Sequence, residues 1–133
     1  MTAPLTTDER ALIERARAVR AHAYAPYSSF LVGAAVRSMA GNVYIGCNVE
    51  NATYGATICA ERAAIVQMIA AGDHGLAAVA VFTDASELAM PCGICRQVIH
   101  EHGEGAEIVS ANPRGFERTT IGELLPRAFE LER

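Results

Sequence analysis

Apolar positions in the first part of the chain follow helical spacing and then change to strand-like segments. Thr6 and Glu9 have the spacing of a capping box, which predicts the start of a helix. This helix should end before Pro26, because the residue before a proline disfavours the helical region. Two apolar segments, 30–37 and 43–49, surround a glycine-containing turn and predict a β-hairpin. The positions with helical spacing are Leu12, Ile13, Ala16, Val19 and Ala23.

The second part of the chain alternates between helices and strands. A helix is predicted over 59–71, and the continuous apolar segment 77–83 predicts a central strand covered on both faces. The expected buried face of that helix consists of Ala60, Ala64, Met68 and Ala71. The remaining predicted elements are a helix over 91–100, strands over 107–110 and 116–120, and a short helix over 121–125. This order predicts one layered α/β domain, residues 1–133, in which helices cover a mixed sheet.

Composition and charge exclude several classes of protein. The chain has 133 residues, of which 51% are hydrophobic and 20% charged, and this is typical of a globular protein rather than a disordered one. A net charge of −4 argues against binding of long polyanions, since nucleic-acid affinity comes largely from Lys and Arg. No apolar run reaches the ~20 residues that span a bilayer, and the N-terminus lacks the pattern of a secretory signal. We therefore expect a cytoplasmic protein with no nucleic-acid and no membrane partner.

Three of the four cysteines have the spacing of a metal site. Reduced cysteines in the cytoplasm favour metal or catalytic roles over disulfides. Cys92 and Cys95 lie on one turn that opens a predicted helix, and Cys59 starts another, where the helix dipole favours thiolates. Three thiolates suit zinc and leave a fourth position open for water, which is typical of a catalytic rather than a structural zinc. A bare Cys-x-x-Cys pair is also compatible with packing or a redox motif, and we interpret Cys47 as a core residue.

Two charged residues beside Cys59 add a mechanism to the predicted metal site. Glu61 is close to the metal without being needed as a ligand, so it could take a proton from water and deliver it elsewhere. The alternative is a first-turn glutamate that complements the helix dipole. Arg62 lies on the same side of the helix as Cys59 and is predicted to hydrogen-bond the sulfurs, which would offset the charge of three thiolates. Its alternative is an ordinary exposed helix arginine.

These residues resemble the zinc-dependent cytidine deaminases. Cys59-Ala60-Glu61 followed by Pro91-Cys92-x-x-Cys95 is similar to the signature of that family. Further segments resemble its short, homotetrameric nucleoside-type branch, and the resemblance extends from residue 7 to residue 129. These segments are 25–30, 32–35, 46–52, 96–98 and 123–129. The resemblance implies a three-layer α/β/α sandwich with a mixed central sheet of about five strands.

The resemblance also implies a role for each site residue and one Zn²⁺ per subunit. Cys59, Cys92 and Cys95 would hold the zinc, and Glu61 would shuttle protons. The backbone N–H of Ala60 would recognise the base, and Phe30 would pack against the nucleoside. Asn48 and Glu50 would hydrogen-bond the ribose hydroxyl, and Tyr54 and Phe129 would complete the pocket of a neighbouring subunit. As alternatives, the two phenylalanines could be core aromatics, and the Asn–Glu pair could be solvated residues at a strand end.

The activity that the resemblance implies is hydrolytic deamination of a small-molecule nucleoside, cytidine or 2′-deoxycytidine, in pyrimidine salvage. A homotetramer with shared active sites would carry it out. One alternative substrate is another cytosine-bearing small molecule, such as a blasticidin-type antibiotic, but the predicted ribose contacts favour a nucleoside. Editing of RNA or DNA is disfavoured by the acidic balance. A further alternative is a non-catalytic zinc-binding module, which predicts a closed site with four ligands and has no need for Glu61. The chain departs from the family at Leu31, at Ala40 and at Ile94, which lies between two of the cysteines.

Overall fold

Five strands form one mixed sheet within residues 2–133, the part of the chain that this computed structural model describes. The strands are β1 (Gly33–Ser38), β2 (Val43–Cys47), β3 (Leu76–Phe82), β4 (Glu107–Asn112) and β5 (Gly115–Thr120). Their order is β2-β1-β3-β4-β5; β3 and β4 are parallel, and the other neighbours are antiparallel. The apolar β3 is therefore central, as its sequence predicted.

Helices cover both faces of this sheet. They are α1 (Thr7–Arg20), α2 (Ala60–Ala70), α3 (Gly93–His102) and α4 (Ile121–Leu124), with one short 3₁₀ turn at Tyr54–Ala56. On one face, α1 contributes Leu12 to a core that includes Phe82, and on the other, α2 and α3 contribute Met68 and Ile99 to a core that includes Val79. Successive strand residues point to opposite faces, so the central sheet supplies both cores. The predicted three-layer α/β/α sandwich is confirmed. Within residues 2–133, no helix combines the length and the apolar character needed to cross a membrane.

Short sequence motifs correctly predicted where the first helix begins and where the turn between β1 and β2 lies. The Thr6 hydroxyl accepts the backbone N–H of Glu9 at 3.1 Å, and the Glu9 carboxylate accepts the backbone N–H of Thr6 at 2.9 Å. This is the predicted capping box. The hairpin turn between β1 and β2 contains Gly41 at a φ of 92°, a left-handed conformation that glycine adopts without strain.

Several details of the predicted elements were wrong, among them Ala23, which lies beyond the end of α1 rather than on it. The first strand begins at Gly33 rather than at Phe30, because the Asn48 side chain bonds the backbone of residues 30 and 32. The third helix begins after Cys92, which is its N-cap, so Pro91 precedes the helix. Ala71 is exposed, because it is the C-cap of α2 and lies beyond the turn that packs on the sheet.

A close backbone approach fixes the start of α2 against β2. Gly46 is buried in β2, and a Cβ built there would lie 2.5 Å from the Ala64 nitrogen and 2.6 Å from the Ala60 oxygen. Such distances are far shorter than the ≈ 3.5–4.0 Å of an ordinary carbon contact. Only a residue without a side chain lets the first turns of α2 lie at this distance from the strand.

Candidate metal centre and adjoining cavities

The three predicted cysteine ligands meet at the beginnings of two helices. Cys59 is the N-cap of α2 and Cys92 is the N-cap of α3, and neither side chain makes a capping hydrogen bond. Cys95 follows in the first turn of α3 and is fully buried. Because a helix N-terminus carries partial positive charge, both positions favour sulfur in its thiolate form. Cys47 lies outside this cluster and is half-buried rather than a core residue.

The spacing of the sulfur atoms fits one zinc ion. All three Sγ atoms lie within 4.8 Å of one another, and those of Cys59 and Cys92 are 3.8 Å apart. When two sulfurs bind one zinc ion with Zn–S bonds of ~2.3 Å and a tetrahedral S–Zn–S angle, the sulfur atoms are about 3.8 Å apart. Within residues 2–133, no fourth Cys, His, Asp or Glu joins the cluster. The donor set therefore suits zinc with one position open.

Charge around the sulfurs stabilises a thiolate at Cys59. Arg62 donates from Nη2 to Cys59 Sγ at 3.7 Å and to the Thr57 carbonyl at 3.3 Å. Its Nε is buried and has no hydrogen-bond partner within residues 2–133. Hydrogen bonding from Cys95, together with the bond from Arg62, lowers the pKa of Cys59 to about 5. Sharing a proton with Cys59 raises the pKa of Cys95. The structure thus brings Arg62 to the sulfurs, where a guanidinium compensates their negative charge.

Glu61 is a buried carboxyl group beside these sulfurs. It is the second residue of α2, only 5% of it is exposed, and it lines a cavity together with Cys59 and Cys92. Burial raises the pKa of Glu61 to about 7, and the thiolate charge of Cys59 acts in the same direction. A carboxyl group with a pKa near neutrality can accept a proton and return it in one reaction cycle.

The cavity at Glu61 has a volume of about 180 Å³ and a largely apolar wall. Six residues singled out in the sequence line it: Phe30, Asn48, Cys59, Ala60, Glu61 and Cys92. Six others were missed: Val32, Thr57, Ile58, Val81, Ala89 and Met90. Met90 directly precedes the Pro91-Cys92 motif, which was the one available signal for it. Ile94 is 62% exposed and is not among the described residues of this wall.

A second, more polar cavity of about 370 Å³ adjoins the first and shares Thr57 with it. Glu50 and Tyr54 line this second cavity, together with Tyr27 and Ser28. Phe129 is not among the described residues that line either cavity. Its side chain is 66% exposed, and its carbonyl accepts a hydrogen bond from Gln97 Nε2 at 2.7 Å.

Asn48 and Glu50 also form hydrogen bonds to the loop 27–32, and the sequence did not predict these bonds. Asn48 Oδ1 accepts the backbone N–H of Val32 at 2.9 Å, and Nδ2 donates to the Phe30 carbonyl at 2.8 Å. The Glu50 carboxylate accepts the backbone N–H groups of Tyr27 and Ser28 at 2.9 and 3.1 Å, and the Ser28 hydroxyl as well. These bonds hold residues 27–32, the segment that carries Phe30 to the cavity wall.

Comparison with known proteins identifies the family. The family model described as the cytidine and deoxycytidylate deaminase zinc-binding region matches residues 6–111. The chain is 42% identical to a cytidine deaminase of Sporosarcina psychrophila over 94% of this chain and 93% of that protein. It is 46% identical to one of Mycobacterium tuberculosis over 84% of this chain and 82% of that protein. A crystal structure of cytidine deaminase from Burkholderia pseudomallei superposes with a TM-score of 0.87 at 48% identity, covering 94% of this chain and all of that one. With its three clustered cysteines, this chain belongs to the zinc-binding cytidine and deoxycytidylate deaminase family.

Proposed function

We propose that this chain catalyses the hydrolytic deamination of cytidine and 2′-deoxycytidine to uridine or 2′-deoxyuridine and ammonia. The observation that carries the proposal is the buried carboxyl group of Glu61, which shares a cavity wall with two of the three clustered cysteines. The relatives described above are named cytidine deaminases, and this supports a plain nucleoside as substrate. The antibiotic alternative is not favoured.

The chemistry divides between the metal and Glu61. Cys59, Cys92 and Cys95 would hold one zinc ion in each subunit, and Arg62 would stabilise their thiolates. Zinc, when bound, supplies a Lewis acid that lowers the pKa of a water molecule from 15.7 towards about 7. Glu61 accepts a proton from the water that attacks C4 of the pyrimidine and delivers it to ring N3. Glu61 then takes the second proton from the new hydroxyl group on C4 and gives it to the amine, so that the C4–N bond breaks, the C4 carbonyl forms and ammonia leaves.

The two adjoining cavities suit the two halves of a nucleoside. The base fits the apolar cavity, between the Phe30 ring and the backbone N–H of Ala60, and the sugar extends toward the second cavity. Asn48 has one amide hydrogen left after its bond to the loop, and the Glu50 carboxylate has about one of its four lone-pair sites left. Each residue can therefore still bond one ribose hydroxyl.

A homotetramer with shared active sites completes the proposal. Tyr54 is 78% exposed and Phe129 is 66% exposed, and large aromatic side chains of this kind are enriched at protein interfaces. We propose that they close the pocket of a neighbouring subunit. Light scattering on the purified protein would give four times the chain mass if this is correct and one chain mass if it is wrong.

The cellular setting follows from the chemistry of the site. Three free thiols must stay reduced to hold a metal, and the cytoplasm keeps them so. A cytoplasmic enzyme that converts cytidine to uridine would serve pyrimidine salvage. The net charge of −4 and the small cavity suit a free nucleoside better than a nucleic acid.

The proposed reaction is tested by the fall in ultraviolet absorbance as cytidine becomes uridine. Turnover should disappear with a zinc chelator and return when zinc is restored. Glu61→Gln, which keeps the shape of the side chain, should retain zinc and lose at least ~10²–10⁴-fold in kcat. A zinc-loaded protein that leaves cytidine unchanged would contradict the substrate, and an active Glu61→Gln variant would contradict the mechanism.

A further inference from the structure

We infer that Ser28 is a positioning residue for the sugar end of the site, because its hydroxyl connects the Glu50 carboxylate to the backbone of Phe30. This inference rests on the proposed function, in which Glu50 bonds the ribose and Phe30 packs on the base. No role was expected for Ser28 from the sequence beyond its place in the segment 25–30.

The Ser28 hydroxyl acts as donor and acceptor at once. It donates to Glu50 Oε2, and it accepts the backbone N–H of Phe30 at 3.0 Å. The other carboxylate oxygen, Glu50 Oε1, accepts the backbone N–H of Ser28 at 3.1 Å. Both oxygens of the carboxylate are therefore oriented from one residue. The bond from the hydroxyl lowers the pKa of Glu50, so that its carboxylate stays an acceptor for a hydroxyl group.

The backbone next to Ser28 needs such bonds to keep its shape. Ser29 has a φ of 59°, a left-handed conformation that non-glycine residues adopt at a cost. Phe30 follows directly and is held on both sides, since Ser28 accepts its N–H and Asn48 donates to its carbonyl. Without the Ser28 hydroxyl, the Phe30 N–H would turn to water, because this segment is exposed. The ring would then lose its fixed place at the cavity wall.

Ser28 lines the second cavity and is not among the described residues that line the cavity at Glu61 and the cysteines. Its loss should therefore weaken binding of the nucleoside and leave the proton transfers intact. For Ser28→Ala we expect KM for cytidine to rise about tenfold, as for one lost hydrogen bond to a charged group, with kcat nearly unchanged. Ser28→Thr keeps the hydroxyl and should restore most of the affinity.

The experiment compares Ser28→Ala, Ser28→Thr and Ser86→Ala, a control in which an exposed serine outside both cavities is changed. Each variant is assayed with cytidine and with 2′,3′-dideoxycytidine, which lacks the hydroxyls that Glu50 and Asn48 would bond. The penalty of Ser28→Ala should be smaller for the dideoxynucleoside, and it should shrink further in a Glu50→Gln background. Equal losses for both substrates would show that the hydroxyl does not act at the sugar end, and a fall in kcat at constant KM would indicate a general effect on folding; either result would overturn the inference.

An NMR titration of Glu50 separates this inference from the proposed function. Ser28→Ala should raise the pKa of the Glu50 carboxyl, and Ser86→Ala should not. An unchanged pKa of Glu50 would show that the hydroxyl does not hold the carboxylate and would refute the positioning role, whatever the substrate. Failure of the proposed function would appear differently, as wild-type protein that carries zinc and does not turn over cytidine.

Discussion

Two groups of side chains within residues 2–133 bring possible metal-ligand atoms close together. The two groups lie at opposite ends of α3. Cys59, Cys92 and Cys95 form the first group, at the start of α3. The second group is formed by His100, Glu104 and Glu130 near the end of α3. In both groups the possible ligand atoms lie within 4.8 Å of one another. Their surroundings differ in charge, in burial and in the partners that the ligands already have.

The difference shows that proximity of ligand atoms is not enough to make a metal centre. The sulfurs lie at positive helix ends, one of them is fully buried, and a guanidinium contacts them. In the second group the two glutamates are exposed, and His100 Nε2 already bonds Glu130 Oε1 at 2.8 Å. A cation there would have to replace that pair and strip water from two carboxylates. We therefore expect zinc at the first group only.

The largest effect should come from removing a ligand of the first group. Cys95→Ala leaves two sulfurs, so the protein should lose its zinc and its deaminase activity should fall below detection. Cys47→Ala is the matched control, since Cys47 lies outside the cluster. Metal analysis by mass spectrometry and the absorbance assay give both readouts. If Cys95→Ala retained zinc, or Cys47→Ala lost it, the assignment of zinc to Cys59, Cys92 and Cys95 would be wrong.

A smaller effect should follow when the charge around the sulfurs is removed. Arg62→Ala takes away the guanidinium that contacts Cys59, and zinc affinity or turnover should fall by about 10–100-fold. Arg62→Lys should retain part of the zinc affinity and turnover, because lysine keeps the positive charge but lacks the several N–H donors of a guanidinium. Arg15→Ala, at an exposed position of α1, controls for the loss of one positive charge. Unchanged zinc retention and turnover in Arg62→Ala would mean that the guanidinium does not stabilise the zinc-binding thiolates.

The smallest effect should come from the second group. His100→Ala removes a partly exposed hydrogen bond to Glu130, and such contacts between exposed polar groups contribute about 0–1 kcal/mol. The zinc content should stay at one ion per chain, and turnover should stay close to that of the unchanged protein. A fall from two ions to one in His100→Ala would show that the second group also holds a metal.

Sequence reasoning succeeded where the information is local and failed where it is not. The capping box of Thr6 and Glu9 spans four residues, and the Cys-x-x-Cys turn is equally short, so both could be predicted from the sequence. The late start of β1 depends on the Asn48 side chain, which reaches back 16 residues to Val32. Patterns of hydrophobicity do not record such a bond.

The wall of the Glu61 cavity shows the same division. Ala60 and Cys92 were found because they belong to a motif. Val81 and Thr57 reach the same cavity from β3 and from the segment before α2, and only the packing of those elements brings them there. The resemblance to a family supplied roles for Tyr54 and Phe129 that one chain cannot display, since those roles concern a neighbouring subunit.

The contact between Gly46 and α2 also bears on how natural variants of this protein should be interpreted. Position 46 lines neither cavity and offers no functional group, yet even a methyl group there would push the beginning of α2 outward. Cys59 and Glu61 would move with that helix, away from Cys92 and Cys95 on α3. A Gly46→Ala allele would therefore look conservative in a genetic screen and behave as a loss of function. The positions of Cys59 and Glu61 therefore depend on the absence of a Cβ atom at residue 46.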